Sequence, residues 1–578
     1  MDKKIMLGNE AIARGAYEAG VRVSTAYPGT PSTEITEAIA DYKDIYVEWS
    51  PNEKVAAEVA IGASVAGARS LVCMKHVGVN VAADPLFTYA YTGVNAGLVL
   101  VVADDPGMHS SQNEQDSRYY AIASNTPMLE PGDSAECKEY IKLAYELSEK
   151  YDTPIMLRTT TRVAHSQSFV TLEERADDEL KPYVKDTPKF SMMPANAIRR
   201  HLAVEARMNR LKADADSLDI NKIVYKDKKV GVICSGVVAK YVEEALPSAS
   251  VLKLGMVHPL PTKLIEEFSK NVDEVIVAEE LEPIFETQIK ALGIKCRGKD
   301  IFSIQGELSV AIIKEKLLGI PMTKADTDLP VRPPVMCAGC PHRGVFYVLS
   351  KNKITVTGDI GCYTLGAQMP LNAIDTVVCM GASIGMAHGF IKARGEEQAE
   401  KTVAVIGDST FVHSGITGLV DTVYNKGLST VVILDNSTTG MTGHQNHPAT
   451  GLTIRDEVTH QLDLVEVAKA CGVKSENIRV VDAYKMNDFE KALKEELNKK
   501  EVSVIIAKRP CVLLDKSKKP LYAIVSDKCK KCKACMKIGC PAIQFTEDGR
   551  MVITKDQCVG CGVCVDMCKF DAIVKEER

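Results

Sequence analysis

Short β-branched runs alternate with longer helical patterns through most of the chain, and this alternation predicts parallel sheets covered by helices. The layout occurs three times. In residues 1–170 the segments VRVSTAYPG, IYVEWS, SLVCMKH and AGLVLVVADD read as strands, separated by Ala/Gly-rich helices such as EKVAAEVAIGASVAGA. A charged, strand-poor stretch, 171–228, reads as a helical connector. A smaller α/β block, 229–325, opens with KVGVICSG and continues through SVLKLGMVHPLP and DEVIVAEE. After the Pro-rich linker LPVRPPV, a third block, 331–515, carries KITVTGD, TVVCMG, TVAVIGD, STVVILDN and VSVIIAKRP as strands. The pattern then changes. Residues 520–578 place small and charged residues between cysteines, so bound metal must supply much of that segment's stability.

A chain of 578 residues is too long for one hydrophobic core, which agrees with a multidomain α/β protein. With 46% apolar residues, 25% charged residues and a net charge of -6, there is no basic face for nucleic acid and no polybasic patch for a membrane. The N-terminal MDKKIMLGNEAIARG lacks the features of a signal peptide, and the longest apolar run, around Leu98 to Ala103, is far short of a membrane span. A cytoplasmic location is expected. Eight of the 18 cysteines fall in the last fifty residues, and such clustering in a leaderless chain points to metal rather than disulfides.

Cys529, Cys532 and Cys535 are followed by Cys540, and Cys558, Cys561 and Cys564 by Cys568. A C-x2-C-x2-C triplet wraps one iron-sulfur cube, and the fourth cysteine of each run ligates the other cube. Two [4Fe-4S] clusters follow: one on Cys529, Cys532, Cys535 and Cys568, the second on Cys558, Cys561, Cys564 and Cys540. Zinc ribbons need cysteine pairs, not two triplets each with a distant fourth ligand. The segment resembles a bacterial two-cluster ferredoxin, with one extra residue before Cys540 and Lys569 in place of the usual proline.

In the third block, VAVIGDSTFVHSG precedes VVILDNSTTG. A strand ending in Gly-Asp, a helix and a second strand ending in Asn resemble the thiamine diphosphate motif, usually GDG followed by NN. Asp408 would bind Mg²⁺ through its carboxylate, Asn436 through its amide oxygen and Thr438 through its carbonyl, with diphosphate oxygens completing the octahedron. Gly407 and Ser409 stand where backbone N–H groups at a helix N-terminus can meet the diphosphate. A Gly-Asp-Ser turn alone is weak, because many α/β turns carry it for geometry; the placed Asn436 strengthens it.

AYPGTPS, KHVGVN, MCAGCPHRG, GDIGCYTLG, GDSTF and the cysteine tail, in this order along the chain, resemble the large subunits of the 2-oxoacid:ferredoxin oxidoreductases, in the branch that acts on arylpyruvates. The resemblance implies a pyrimidine-type thiamine domain over 1–170, a transketolase-C-like domain over 229–325, a diphosphate-binding thiamine domain over 331–515 and a ferredoxin-like tail. It further implies coenzyme A-dependent oxidative decarboxylation of substrates such as indolepyruvate and phenylpyruvate, with reduction of ferredoxin. A smaller β subunit of γ-domain type, in an α2β2 assembly, comes with it.

By the same resemblance Glu53, which opens an Ala/Gly-rich helix in WSPNEKVAAEVAIGASVAG, is the carboxylate that serves the aminopyrimidine ring, and Thr30 lies close to cofactor and substrate. Read from the residues alone, Glu53 is a first-turn acid favoured by the helix dipole and Thr30 is an N-cap before Pro31. Cys337, Cys340, Cys362 and Cys511 resemble the four positions that hold a third cluster beside the thiazolium ring; buried small hydrophobes are the alternative for Cys362 and Cys511. His76, His342 and His413 are readable as contacts to substrate or phosphate, and equally as structural histidines. A pyruvate or 2-oxoglutarate oxidoreductase, a non-oxidative thiamine decarboxylase and a pure electron-transfer subunit stand as competing functions. The decarboxylase leaves the tail cysteines without purpose, and the electron-transfer subunit leaves the Gly-Asp to Asn spacing unexplained.

Overall fold

The computed structural model describes residues 2–176, 180–323, 329–330, 333–517 and 519–576. The expected boundaries at 325 and 331 lie outside the described residues. The chain divides into two compact units, 1–328 and 329–578.

The first unit is built on a seven-stranded sheet in the order Met256–His258, Met128–Leu129, Ile155–Thr160, Leu98–Asp104, Ser70–Lys75, Val23–Ala26, Tyr46–Trp49. All pairings are parallel except that of the Met256–His258 edge. Ser70–Lys75 and Leu98–Asp104 are buried at every position. Helices on both faces cause this, and it explains why these strands read as continuous apolar runs rather than alternating ones. The strand Ile155–Thr160 and its short neighbour Met128–Leu129 complete the sheet beside the four strands expected there.

A four-stranded sheet follows, in the order Glu274–Ala278, Asp227–Ser235, Ala249–Leu254, Lys222–Val224. The stretch 171–228, expected to be a helical connector, carries the helix Pro194–Ala215 and also supplies the Lys222–Val224 edge strand. The two sheets share one hydrophobic core, in which Leu100 and Met128 cluster with Leu252, Phe268 and Phe285. Ion pairs sit in the same seam: Arg118 binds Asp116 at 2.6 Å and Glu279 at 2.7 Å, and Arg158 binds Asp104 at 2.7 Å and Glu130 at 2.6 Å. Both guanidiniums are buried, so removing any one partner would strand an uncompensated charge.

The second unit has a five-stranded parallel sheet, Thr355–Thr357, Thr402–Gly407, Thr430–Asp435, Ser503–Lys508, Ile478–Asp482. Thr402–Gly407 and Thr430–Asp435 are neighbours, with Gly407 opposite Leu434, so the loops leaving them emerge side by side. TVVCMG does not form the expected strand. Thr376 makes a single bridge to Thr357, after which Val378 is 55% exposed and Gly381, at φ +83°, turns the chain into the helix Ala382–Arg394. Among the described residues no strand pairs with it beyond Thr376; Val377 and Met380 are half-buried, while Val378 and Cys379 are exposed. The tail holds two small two-stranded antiparallel sheets, Tyr522–Ile524 with Ile573–Lys575 and, as a hairpin, Ile543–Phe545 with Met551–Ile553.

Candidate active site

In the second unit, Asp408 opens the helical segment that follows Thr402–Gly407, a segment that passes through a π-helical stretch, Phe411–Gly415, before Ile416–Tyr424. Its carboxylate is buried and accepts from Ser409 N at 2.9 Å and Ser437 N at 2.8 Å. Ser437, at φ +58°, adopts a left-handed conformation that aims this N–H back at Asp408. The carboxamide of Asn436 stands 3.1 Å from Asp408 Oδ1 and 2.9 Å from the carbonyl oxygen of Thr438, and with its nitrogen toward them it donates to both. Turned over, the amide would put its oxygen beside those two acceptors, which is favourable only when a cation joins the three. Octahedral Mg²⁺ with oxygens at about 2.1 Å sets adjacent ligands about 3 Å apart, so this donor set fits the ion.

The surroundings of this triad were largely invisible to sequence reasoning. His447 Nε2 lies 3.3 Å from Asp408 Oδ2, and nothing but its position in the GHQNHP run after Asn436 could have drawn notice. Thr439 Oγ1 donates to Ser409 Oγ at 2.9 Å. A side chain on Gly407 would meet the Tyr363 ring at 2.6 Å, so this glycine also admits an aromatic wall. His342 is buried beside that wall, its ring edge-on to Tyr363 at 6.0 Å, and burial pulls its imidazole down to about 4, the Asp408 charge only partly opposing. It is therefore neutral at ordinary pH. His413 contacts Ser414 Oγ within the π-helical stretch.

Cys337, Cys340, Cys362 and Cys511 come together near this triad. Burial pushes the Cys362 thiol up to about 11, with Cys511 and Cys337 near enough to add to the rise, and Cys362 and Cys337 add likewise to that of Cys340; Cys511 N donates to Asn436 O at 2.8 Å. A Cβ on Gly440 would stand 3.4 Å from Cys362 Sγ and 3.5 Å from Asn436 Nδ2, which places this cysteine beside the Asn436 amide. Of the two residues offered as plain hydrophobes, neither Cys362 nor Cys511 is fully buried.

The tail cysteines ring two hollows. Cys529, Cys532, Cys535 and Cys568 line one; Cys540, Cys558, Cys561 and Cys564 line the other, together with Cys340. Each hollow thus takes three cysteines from one sequence run and one from the other. Lys531 N and Ala572 N point at Cys529 Sγ and Cys568 Sγ, at 3.4 and 3.3 Å. Among the described residues no three His, Cys, Asp or Glu side chains close on one point, as a single ion would require. A cube asks for something else, four cysteines on four separate irons. Arg343, 4% exposed, was not foreseen: it donates to the carbonyls of Met336 and Cys337 and to those of Ile538 and Gly539, linking the chain beside Cys337 to that beside Cys540.

In the first unit, Glu53 begins the helix Glu53–Val65, whose N-cap is Asn52, with Oδ1 accepting from Val55 N at 2.9 Å. Glu53 is 5% exposed at the C-terminal edge of the sheet, packed over Gly78. Lys75 ends the strand Ser70–Lys75 and His76 opens the helix His76–Val81 that holds Gly78; burial lowers the imidazole and pulls the Lys75 ammonium down to about 8, with Asp105 opposing. The backbone at Gly29, next to Thr30, comes close to Lys75: a Cβ on Gly29 would stand 3.1 Å from Lys75 Cβ. Thr30 is not an N-cap. The helix begins at Thr33, with Ser32 in the cap position and its hydroxyl turned to Gly29 O at 2.8 Å, because Pro31 holds the chain in a turn before the helix can start.

Three protein-family models match along the chain. Residues 14–218 match the thiamine-diphosphate-binding region of pyruvate flavodoxin/ferredoxin oxidoreductases, 359–507 the C-terminal TPP-binding domain of thiamine pyrophosphate enzymes, and 551–574 a 4Fe-4S binding domain. The indolepyruvate oxidoreductase subunit IorA of Archaeoglobus fulgidus is 40% identical over 99% of this chain and 97% of its own length. The chain belongs to the IorA family. The Thermococcus kodakarensis member is 39% identical over the same shares of the two chains. The 2-oxoglutarate synthase subunit KorA of A. fulgidus is 24% identical over 48% of this chain and 88% of its own length. The chain is thus a thiamine-diphosphate-dependent 2-oxoacid:ferredoxin oxidoreductase of indolepyruvate type that carries iron-sulfur clusters. No helix among the described residues is long and apolar enough to cross a membrane.

Proposed function

We propose that this IorA-family chain oxidatively decarboxylates arylpyruvates of the indolepyruvate type to the acyl-coenzyme A and CO2, passing electrons to ferredoxin. The observation that carries the reading is the closeness of the Asn436 carboxamide to Asp408 Oδ1 and Thr438 O, near Cys362. It sets a hard-cation donor group, suited to a magnesium diphosphate, against thiols suited to a redox cluster.

Asp408, Asn436 and Thr438 hold Mg²⁺, and the backbone at Gly407 and Ser409 receives the diphosphate. When bound, thiamine diphosphate supplies the carbon nucleophile for the 2-oxo carbon and holds the electrons that the departing CO2 leaves. Glu53 holds and moves a proton at the aminopyrimidine, and its burial keeps water from competing for that proton. Thr30 contributes a hydroxyl to the substrate end. The two electrons leave singly, which requires nearby one-electron carriers. Cys337, Cys340, Cys362 and Cys511 hold the first cluster in this reading, and the two tail sets hold the second and third. A smaller β subunit of γ-domain type completes the assembly as α2β2.

Oxygen-free viologen reduction with indolepyruvate, pyruvate and 2-oxoglutarate, with and without coenzyme A, tests this. Reduction that is fastest with indolepyruvate and needs coenzyme A is expected. Preference for either other acid overturns the substrate class, and CO2 release without dye reduction makes the chain a simple decarboxylase.

A further inference from the structure

The two tail hollows differ in their charges. Between Cys558 and Cys564 the loop reads CVGCGVC, with no charged residue, and Val559 packs on Gly339 next to Cys340. Between Cys529 and Cys535 it reads CKKCKAC. Lys528, Lys530, Lys531, Lys533, Lys537 and, across the hollow, Lys569 are all exposed, and Cys532 is exposed among them. Acids nearby are Asp527, Asp566 and Asp571, and none of the six lysines forms an ion pair within the described residues. Lys533 lies 4.0 Å above the Phe545 ring, and Phe570, 44% exposed, lines the hollow itself. In a chain of net charge -6, unpaired cations gathered at one cysteine set stand out against the rest of the surface.

We infer that this lysine face is the docking surface for an acidic one-electron carrier protein, and that electrons enter the tail at the Cys540/Cys558/Cys561/Cys564 set and leave at the Cys529/Cys532/Cys535/Cys568 set. The inference rests on the proposed clusters. The uncharged set lies inward, against Cys340, where a docking charge would only be desolvated. The basic set lies outward, where cations raise the encounter rate with an acidic partner and orient it. Phe570 and Phe545 give the patch an apolar centre within a charged rim. At the contact one electron passes from the reduced cluster to the oxidised carrier, with no bond made or broken. Two transfers balance each 2-oxoacid oxidised.

Holoenzyme assayed with an acidic ferredoxin, with methyl viologen as cationic control, tests the inference. On raising ionic strength from about 25 mM to about 300 mM the screening length falls from ~20 Å to ~6 Å, and the ferredoxin rate should fall ~fivefold or more while the viologen rate holds. A triple Lys530→Glu, Lys531→Glu, Lys533→Glu variant, with iron content and cluster EPR measured alongside, should weaken ferredoxin binding at least ~tenfold and leave viologen reduction intact. Single Lys→Gln changes give graded losses if the triple variant assembles poorly. A flat salt profile with ferredoxin, or unchanged ferredoxin affinity in iron-replete variants, overturns the docking face. Loss of iron or viologen reduction in the wild type strikes instead at the cluster reading beneath it.

Discussion

A methyl group on Gly78 would stand 2.7 Å from Oε1 of Glu53. Glu53 is fixed by its place at the head of a capped helix, so its carboxylate would have to swing aside. Gly78→Ala should therefore lower turnover by about a hundredfold, the scale of a 1 Å misplacement, with thiamine and iron contents unchanged. Glu53→Gln should do the same. Ordinary turnover in Glu53→Gln at full cofactor content would remove the proton role from Glu53.

Gly78 shows where legibility stopped. KHVGVN was visible as a segment, but that its glycine faces a residue 25 positions earlier depends on the sheet order that brings the two strand ends together. The cysteine sets were legible because ligation fixes spacing within a few residues, and the strands before Asp408 and Asn436 because fully buried parallel strands write themselves as unbroken apolar runs. TVVCMG carries the same writing and is no strand, since among the described residues nothing pairs with it beyond Thr376. Thr30 looked like a cap because Thr-Pro often is one, but the turn at Pro31 defers the helix to Thr33. His447 and Arg343 act through contacts that no local pattern announces.

Asp408→Ala removes the only carboxylate of the proposed donor set. Thiamine diphosphate binding in Mg²⁺ should fall beyond detection by calorimetry, while the ferredoxin-like visible absorption of the tail stays. His447→Ala should weaken cofactor binding more mildly, by about tenfold, as loss of one charged-group contact would. Undiminished thiamine content in Asp408→Ala would take the magnesium role away from that residue.

Glu280 is buried, accepts from Leu308 N at 2.8 Å, and is pushed by burial up to about 7, with Arg158 opposing. A carboxyl raised in the folded state binds its proton there more tightly than in the unfolded chain. It stabilises fully below about 4.5, and that contribution is lost as pH rises through about 7. The melting temperature of the wild type relative to Glu280→Gln should accordingly decline between these values, by the equivalent of roughly 3 kcal/mol. A difference that does not vary with pH would show that Glu280 titrates normally.

Arg343 gives the most direct test of how the tail is held. Its guanidinium spends donors on both Met336–Cys337 and Ile538–Gly539, and Gly539, at φ +70°, brings its own backbone within reach; a Cβ there would lie 3.1 Å from Nη1. Arg343→Met keeps the volume but leaves these buried carbonyls without a donor, and hydrogen bonds to a charged group contribute about 1.5–3 kcal/mol. Local opening of the tail should rise by about ten- to a hundredfold. Limited proteolysis under oxygen-free conditions would read this as faster release of a fragment beginning near residue 520, with Arg343→Lys intermediate because an ammonium cannot span both segments at once. Equal release rates for all three proteins would mean that the apolar contacts around Ile538 and Val563 hold the tail without help from the guanidinium.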